Sequence, residues 1–522
     1  MSNQQHATQV VVVGGGTAGW LTACLLRACP RLNIHVTLVE SPNIPSIGVG
    51  EGTWPSMRQT LHKIGLSEAE FLKQCDAAFK QGSRFDAWRT GQENDRYYHP
   101  FTLPEGYPHL DLSQYWLPYQ QEVSFANAVS AQARVSDMQR APKALQAGEN
   151  STALNYGYHL DAGKFASLLQ THGTAKLGVN HVLATIDSVI GDSSAPIQAI
   201  VTDSGERFEA DLFIDCTGFS GRLIEQHYHI PWQSIESTQI NNRALALQIP
   251  YENAHSPIAS ATLSTAHSQG WTWDIGLQNR RGIGLVYSSH FTSDDEAEQC
   301  LRQHVENSTQ GSGAFLKQLE KIEAKAIAYQ PGVRTQFWHH NCVAIGLSAG
   351  FLEPLEASAI ALIESAVNFI SDNITPDVQA NAVVAKRFNS TMHYHWSKII
   401  DFIKLHYVLS SRRDSDYWRA QTAIETCSDW LQDNLQLWAQ SGPNLHDVPM
   451  MMEMFPAASW RYIWYGMQQE KLALPMDNAA NAAQLAMQVE AERCFKQVAN
   501  QTRHLLQSLP THREWLKQLA LR

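Results

Sequence analysis

The feature that most restricts this chain lies at its start. Val10–Val13 reads as a short buried strand and Gly14-Gly15-Gly16-Thr17-Ala18-Gly19 as a glycine-rich turn; Trp20 to Cys29 reads as a helix and Ile34–Glu40 as a second strand ending on an acid. Gly14, Gly16 and Gly19 have the spacing of a dinucleotide fingerprint. Such glycines permit a tight turn and bring backbone close to a pyrophosphate. The helix start at Thr17 and Ala18 then offers N–H groups to that anion. Glu40 is positioned to accept from a ribose 2′-hydroxyl. The full order of strand, turn, helix, strand and acid predicts a Rossmann-like α/β fold. It does not separate FAD from a nicotinamide dinucleotide, and a glycine-rich turn that binds nothing is the plainer alternative.

Two later segments favour FAD. Ile47-Gly48-Val49-Gly50-Glu51-Gly52 is a second glycine-rich loop, suited to an extended cofactor. Gly346-Leu347-Ser348-Ala349-Gly350 follows the strand Cys342–Ile345 and precedes a helix from about Ala357, a position suited to ribityl and isoalloxazine atoms. Either loop read alone is also a plain left-handed turn. There is no second fingerprint for a nicotinamide cofactor, so reducing equivalents are expected from a separate NAD(P)H-dependent flavin reductase.

Elsewhere, residues 67–80 read as one amphipathic helix, capped by Ser67 with Glu70 and stopped by Gly82. That places Lys80 in a last helical turn, where a cation complements the dipole. Residues 83 to about 155 are aromatic with weak periodicity, 180–215 and 243–290 read as strands, and 376–522 read as almost wholly helical. A soft boundary near Thr375-Pro376 separates an FAD-binding domain, 1–375, from a helical substrate-covering module, 376–522, with a substrate-pocket insert at about 83–190.

Composition excludes several classes. A net charge of −11 with scattered basic residues argues against a nucleic-acid groove or an anionic membrane surface. The most apolar stretch, Ala359 to Ile370, is too short for a membrane span and is broken by Glu364. Eight cysteines without a CxxC pair read as reduced cytoplasmic thiols rather than bridges or a metal site. The polar N-terminus does not read as a signal peptide. Fifteen tryptophans suggest aromatic-lined pockets.

In sequence the chain resembles the flavin-dependent tryptophan halogenases. The blocks that carry the resemblance run in order from residue 9 to about 420. They are VVVGGGTAGW (11–20), IGVGEGTWP (47–55), FKQGSRFDAW (79–88), YHPF (98–101), LNYGYHLDAGKFA (154–166), DCTGFSG (215–221), GWTWDIGLQNRRGIGLVYS (270–288), GLSAGFLEPLEASAIALI (346–363) and DFIKLHYVLSSRRDSDYW (401–418). The resemblance implies an FAD-binding domain of the flavin monooxygenase type with an inserted β-sheet region and a helical C-terminal module. It also implies FAD used as FADH2, with chloride or bromide as co-substrate. Reduced flavin and O2 would turn the halide into hypohalous acid, which halogenates tryptophan, indole or a related electron-rich arene.

Roles follow residue by residue from that resemblance. Gly14, Gly16, Thr17, Ala18, Gly19, Glu40, Gly48, Val49, Leu347 and Ile360 would hold the cofactor, and Ser358 and Ala359 the halide. Lys80 would take up the oxidant, as a hydrogen-bond donor or a haloamine. Glu356 would polarise the oxidant or take the ring proton. His99 and Phe101 would line the arene pocket. Trp271 and Trp273, two apart on a strand and so on one face, would wall flavin from arene. Read without the resemblance, Lys80 is a surface helix cation, Glu356 and Ser358 belong to an ordinary helix start, His99 and Phe101 pack a loop, and the tryptophans are core.

There are two departures. Gly276 replaces a proline after the Trp-x-Trp block, which leaves that backbone less constrained. Ala357-Ser358-Ala359 replaces Ser-Thr-Gly after the glutamate, which removes a hydroxyl at Ala357. The aromatic segment 452–467 reads as a lid and is unmatched to tryptophan contacts, so a substrate broader or other than free tryptophan is expected, an indole or a related electron-rich arene. The rival readings are a flavin aromatic hydroxylase, which usually has an acid where this chain has Leu347, and a non-catalytic flavin-binding redox module. The oligomeric state is open, a homodimer among the alternatives.

Overall fold

The computed structural model describes residues 7–44, 50–92, 94–149, 151–309, 311–375, 377–467 and 482–521. The chain forms two compact units whose segments alternate along the sequence. Unit 1 comprises Met1–Ala77, Leu160–Glu236 and Gln330–Ser397; unit 2 comprises Ala78–His159, Ser237–Tyr329 and Lys398–Arg522.

Unit 1 is built on a six-stranded sheet. Its strands, from edge to edge, are Trp338–His339, Cys342–Ala344, Leu212–Asp215, Thr8–Val13, Ile34–Glu40 and Asn180–Leu183. All neighbours are parallel except the first pair. Val10, Val11, Val12 and Val13 are all buried, as a central strand covered on both faces requires. The first strand passes through the glycine turn into the helix Thr17–Ala28, which packs on the helix Ala359–Asn373. This is the expected dinucleotide-binding topology. The later helix begins at Ala359, two residues beyond the expected start.

Unit 2 is built on a seven-stranded sheet in the order Lys325–Ala328, Arg243–Pro250, Arg280–Tyr287, Gly270–Gly276, Thr262–Ala266, Gly82–Asp86 and Arg96–Pro100. Only Thr262–Ala266 and Gly82–Asp86 are parallel neighbours. One face is covered by the helix Asp294–Ser308, whose Leu301 and Val305 join Leu247, Ile283 and Leu285 in a core. Ser293 and Glu296 close that helix's start as a capping box. The helices Asp429–Ser441 and Ala457–Met467 meet through Trp438, Trp460 and Trp464. Much of the tryptophan content is therefore core.

The expected helix over 67–80 is two elements. A helix spans Glu68–Gln74, with Ser67 accepting from the Glu70 N–H as its cap. Asp76 then takes a left-handed φ of 47°, which turns the chain, and Ala78–Lys80 is a strand paired with Gly157–Asp161. Lys80 is thus a strand residue with none of its surface exposed, not a cation on a helix end. A partner some 80 positions away decided this, and local periodicity does not register it.

Among the described residues no helix is long and apolar enough to cross a membrane, and no group of three His, Cys, Asp or Glu could hold a metal ion. All eight cysteines are free thiols.

Candidate active site

In unit 1 the fingerprint glycines do different things. Gly14 has a φ of +112°, and a Cβ there would lie 2.3 Å from the Cys216 carbonyl oxygen. A Cβ on Gly19 would overlap the Gly14 carbonyl oxygen at 1.8 Å. Both positions exclude side chains so that helix and strands can pack. Gly16 differs: nothing lies within 4 Å of the place its Cβ would occupy. Gly16 also caps the helix Thr17–Ala28 with no side-chain hydrogen bond, leaving first-turn N–H groups without a side-chain acceptor. Open space beside a bare helix start fits a dinucleotide pyrophosphate.

Glu40 ends its strand beside the turn, its carboxylate against Gly15. It already accepts from His181 Nε2 at 2.7 Å, a partner the sequence did not suggest. The late glycine loop is a 3-10 turn, Gly346–Ser348, with Gly346 at φ +74° and its α-carbon against the Ala18 methyl. Leu347 therefore stands close to the fingerprint helix, and Ile360 is buried in the first turn of Ala359–Asn373. Gly48 and Val49 lie outside the described residues.

Two buried groups were missed by sequence reasoning, one holding this loop and one the turn after Asp215. Arg334 donates through Nε to the Ser348 carbonyl at 3.2 Å, donates to the Ile230 carbonyl at 3.1 Å and pairs with Glu225. Asp215, fully buried, accepts from the N–H groups of Thr217, Leu223 and Ile224. Its place in the DCTGFSG block was the available signal.

The segment entering the later helix is strained. Glu356 and Ala357, neither of them glycine, take left-handed φ values of 68° and 54°. A non-glycine residue in that region costs about 1–3 kcal/mol and is held by its surroundings. Trp54 is one restraint, its Nε1 donating to the Glu356 carbonyl at 2.7 Å. Ser358 then caps Ala359–Asn373 without accepting from it, so the first-turn N–H groups are not taken by their own serine. Ser358 is buried and Ala359 exposed. The Glu356 side chain is buried as well. Burial also pushes the carboxyl of Glu51, in the second glycine loop, up to about 7.

In unit 2, Lys80 Nζ lies 5.4 Å from the centre of the Phe101 ring, so two of the expected residues come together. His99, on the edge strand, faces Ser83, and its Nε2 and the Ser459 hydroxyl are 2.9 Å apart. Its ring lies against Phe402, Phe455 and Tyr462. The aromatic segment 452–467 is thus largely a buried helix packed on this strand, not a loose lid. Trp271 and Trp273 share one face of Gly270–Gly276 with ring centres 6.4 Å apart. Trp271 is buried against Trp88, and Trp273 lies over Gly284. Two strands separate theirs from that of His99. Gly276 leaves no room for a side chain: a Cβ there would meet Ile258 at 2.8 Å and the Tyr251 hydroxyl at 3.2 Å.

The tryptophan halogenase family profile matches residues 9–481. The tryptophan 7-halogenase RebH of Lentzea aerocolonigenes is 31% identical over 98% of each chain. The crystal structure of a tryptophan halogenase from Shewanella frigidimarina superposes with a TM-score of 0.92 at 42% identity, covering 99% of this chain and 98% of that one. BrvH, a flavin-dependent halogenase from Brevundimonas sp. BAL3, gives a TM-score of 0.82 at 31% identity over 98% and 99%.

Proposed function

We propose a reaction scheme from one premise: this chain belongs to the tryptophan halogenase family and is a flavin-dependent halogenase. The scheme assigns flavin and halide to unit 1 and the arene to unit 2. Bound FAD, reduced and supplied with O2 and chloride or bromide, furnishes hypohalous acid. Gly14, Gly16, Gly19, Thr17 and Ala18 hold the pyrophosphate, and Glu40 the ribose. Gly48, Val49, Leu347 and Ile360 complete the cofactor contacts. The Ser358 and Ala359 N–H groups hold the halide, a role supported by the uncapped helix start.

Lys80 takes up the oxidant, by hydrogen bond or as a haloamine with loss of water. His99 and Phe101 line the arene pocket, and Trp271 and Trp273 keep the arene from the flavin. On the hydrogen-bonded route halogen passes from the hypohalous acid to the ring, the hydroxide left behind takes a proton from Lys80 and leaves as water, and the ring proton passes to Glu356. On the haloamine route water has left already, and the ring proton returns through Glu356 to the lysine nitrogen. The observation that carries this reading is the complete burial of Lys80 beside Phe101. A lysine is seldom fully buried without a task, and here burial keeps a reactive halogen donor away from bulk water.

The substrate is tryptophan, indole or a related electron-rich arene, covered by the helical module 376–522. A separate NAD(P)H-dependent reductase supplies FADH2. The free thiols suit a reducing cytoplasm. Monomer and homodimer serve this scheme equally. Mass spectrometry of products after supplying reductase, FAD, NADH, halide and an indole panel tests the reading. Halogenated arene is expected, and only with reductase and halide present. Oxygenated product, or NADH oxidation by the purified protein alone, would replace it with a hydroxylase.

A further inference from the structure

We propose that His512, from the last helix of the chain, is a positioning residue for Lys80; this rests on Lys80 as the halogen-transferring group. Lys80 ends the short strand Ala78–Lys80, which pairs on one side with Gly157–Asp161, Phe79 facing Tyr158. The Phe79 N–H is not used by that partner strand. It donates to His512 Nε2 at 2.9 Å, across 433 positions of sequence. A side chain thus stands where another strand's carbonyl would be, one residue from the lysine.

The imidazole is held in one orientation and one tautomer. Since Nε2 accepts from Phe79, the ring proton sits on Nδ1, which faces the Ser260 hydroxyl at 3.3 Å; that hydroxyl donates onward to the Arg140 carbonyl at 3.1 Å. Every bond in this series runs the same way. The residue after the lysine is fixed by the same groups, for the Gln81 N–H donates to the Ser260 carbonyl at 2.7 Å and Gln81 Nε2 to the Arg140 carbonyl at 2.7 Å. Lys80 is therefore flanked by two backbone amides that are both anchored through Ser260, one of them by way of His512.

Packing enforces the arrangement. His512 stacks on the Phe79 ring at 5.5 Å, and Trp515, from the same helix, meets its edge at 4.7 Å. The helix start is itself fixed, the His512 N–H donating to the Gln139 carbonyl at 2.7 Å and Thr511 forming a capping box with Glu514. His512 has none of its surface exposed, and burial pushes its imidazole down to about 3. It therefore stays neutral and keeps its acceptor across the working pH range. It does not touch the reacting atoms; it sets where the lysine stands.

The test uses the full-length enzyme with FAD and a flavin reductase. It compares halogenated product per flavin reoxidised in His512→Leu, His512→Gln, Ser260→Ala and Lys80→Ala. Leucine removes the acceptor and glutamine restores one. In His512→Leu the ratio is expected to fall about tenfold or more, because a misplacement of about 1 Å at a reacting group costs on the order of 10²-fold. Flavin reoxidation should stay at the wild-type level. His512→Gln should recover most of the loss, which a merely space-filling role would not produce. Ser260→Ala, which removes a hydroxyl beside Nδ1 but keeps the ring, should show a smaller fall. The proposal is overturned if glutamine is no better than leucine, if reoxidation falls in step with product, or if Ser260→Ala couples like wild type when the leucine variant does not fold. Product retained in Lys80→Ala would instead remove the lysine reading on which the proposal stands.

Discussion

The two units build their sites from different material. In unit 1 the groups proposed for cofactor and halide are mostly backbone: a bare helix start at Gly16, a second at Ser358, and left-handed turns at Gly14, Gly346, Glu356 and Ala357. In unit 2 they are side chains buried in an aromatic core: Lys80 beside Phe101, His99 against Phe402 and Phe455, and His512 under Phe79. Anions are well served by fixed backbone dipoles, which need no protonation state. Halogen transfer through Lys80, as proposed, needs the amine held in one place, and packed side chains supply that.

The difference should separate in experiments. Glu356→Gln, in unit 1, keeps the shape but removes the proposed proton acceptor. Product formation should fall about 10²–10⁴-fold while FAD affinity holds. Parallel loss of FAD binding, read by fluorescence titration, would mean that the residue serves the cofactor instead.

Acid should act more on unit 2 than on unit 1, where burial lowers the half-buried imidazoles of His227 and His339. Burial holds His267 and His512 at about 3 and His159 well below its ordinary range, so these imidazoles are neutral when folded and take up protons when unfolded. Stability is then complete above about pH 6.5 and falls as pH drops toward 3, by about 1.4 kcal/mol per pH unit for each histidine. In unit 1 burial raises the carboxyls of Glu51, to about 7, and Glu364. Those folded-state carboxyls protonate first as pH falls, which adds stability. Asp401, raised to about 6, offsets part of the loss in unit 2. Hydrogen exchange of the apo-protein at pH 7 and pH 5 should show protection lost in unit 2 peptides first; equal loss in both units would contradict this.

Gly16→Val and Gly14→Val should differ within the one turn. The first places its side chain in open space, so the apo-protein should melt as wild type while FAD affinity drops about tenfold or more, roughly 1.4 kcal/mol. The second collides with the Cys216 carbonyl at a positive φ and should lower the melting temperature itself. The smallest effect is expected from Trp54→Phe, which removes the hydrogen bond to the Glu356 carbonyl. About 0.5–1.5 kcal/mol of restraint on a strained residue is lost, read as a raised KM for halide with the KM for the arene unchanged.

The same contrast explains what was legible in the sequence. A backbone site leaves a local signature, because glycine is required wherever a Cβ would collide, as at Gly14 and Gly19. The fingerprint strands and helix were readable for that reason, and so was the cap at Ser67. Local periodicity misplaces Lys80 because its strand is defined by Gly157–Asp161 and by His512, contacts that leave no pattern within a window around residue 80. The close packing around Gly276 likewise comes from Ile258 and Tyr251. Trp54 and Arg334 act through carbonyls, to which any residue type can contribute, so nothing in their partners' identities announces them.

The central claim is that flavin chemistry in one unit and halogen transfer in the other are separable. Lys80→Ala tests it most directly, with product formation and reoxidation of reduced flavin measured side by side in wild type and variant. The account predicts flavin reoxidation at the wild-type level with halogenated product lower by several orders of magnitude, as for a group that acts only in the transition state, and Lys80→Arg failing to restore it because a guanidinium does not readily become a haloamine. Unchanged halogenation, or equal loss of both signals, would contradict it.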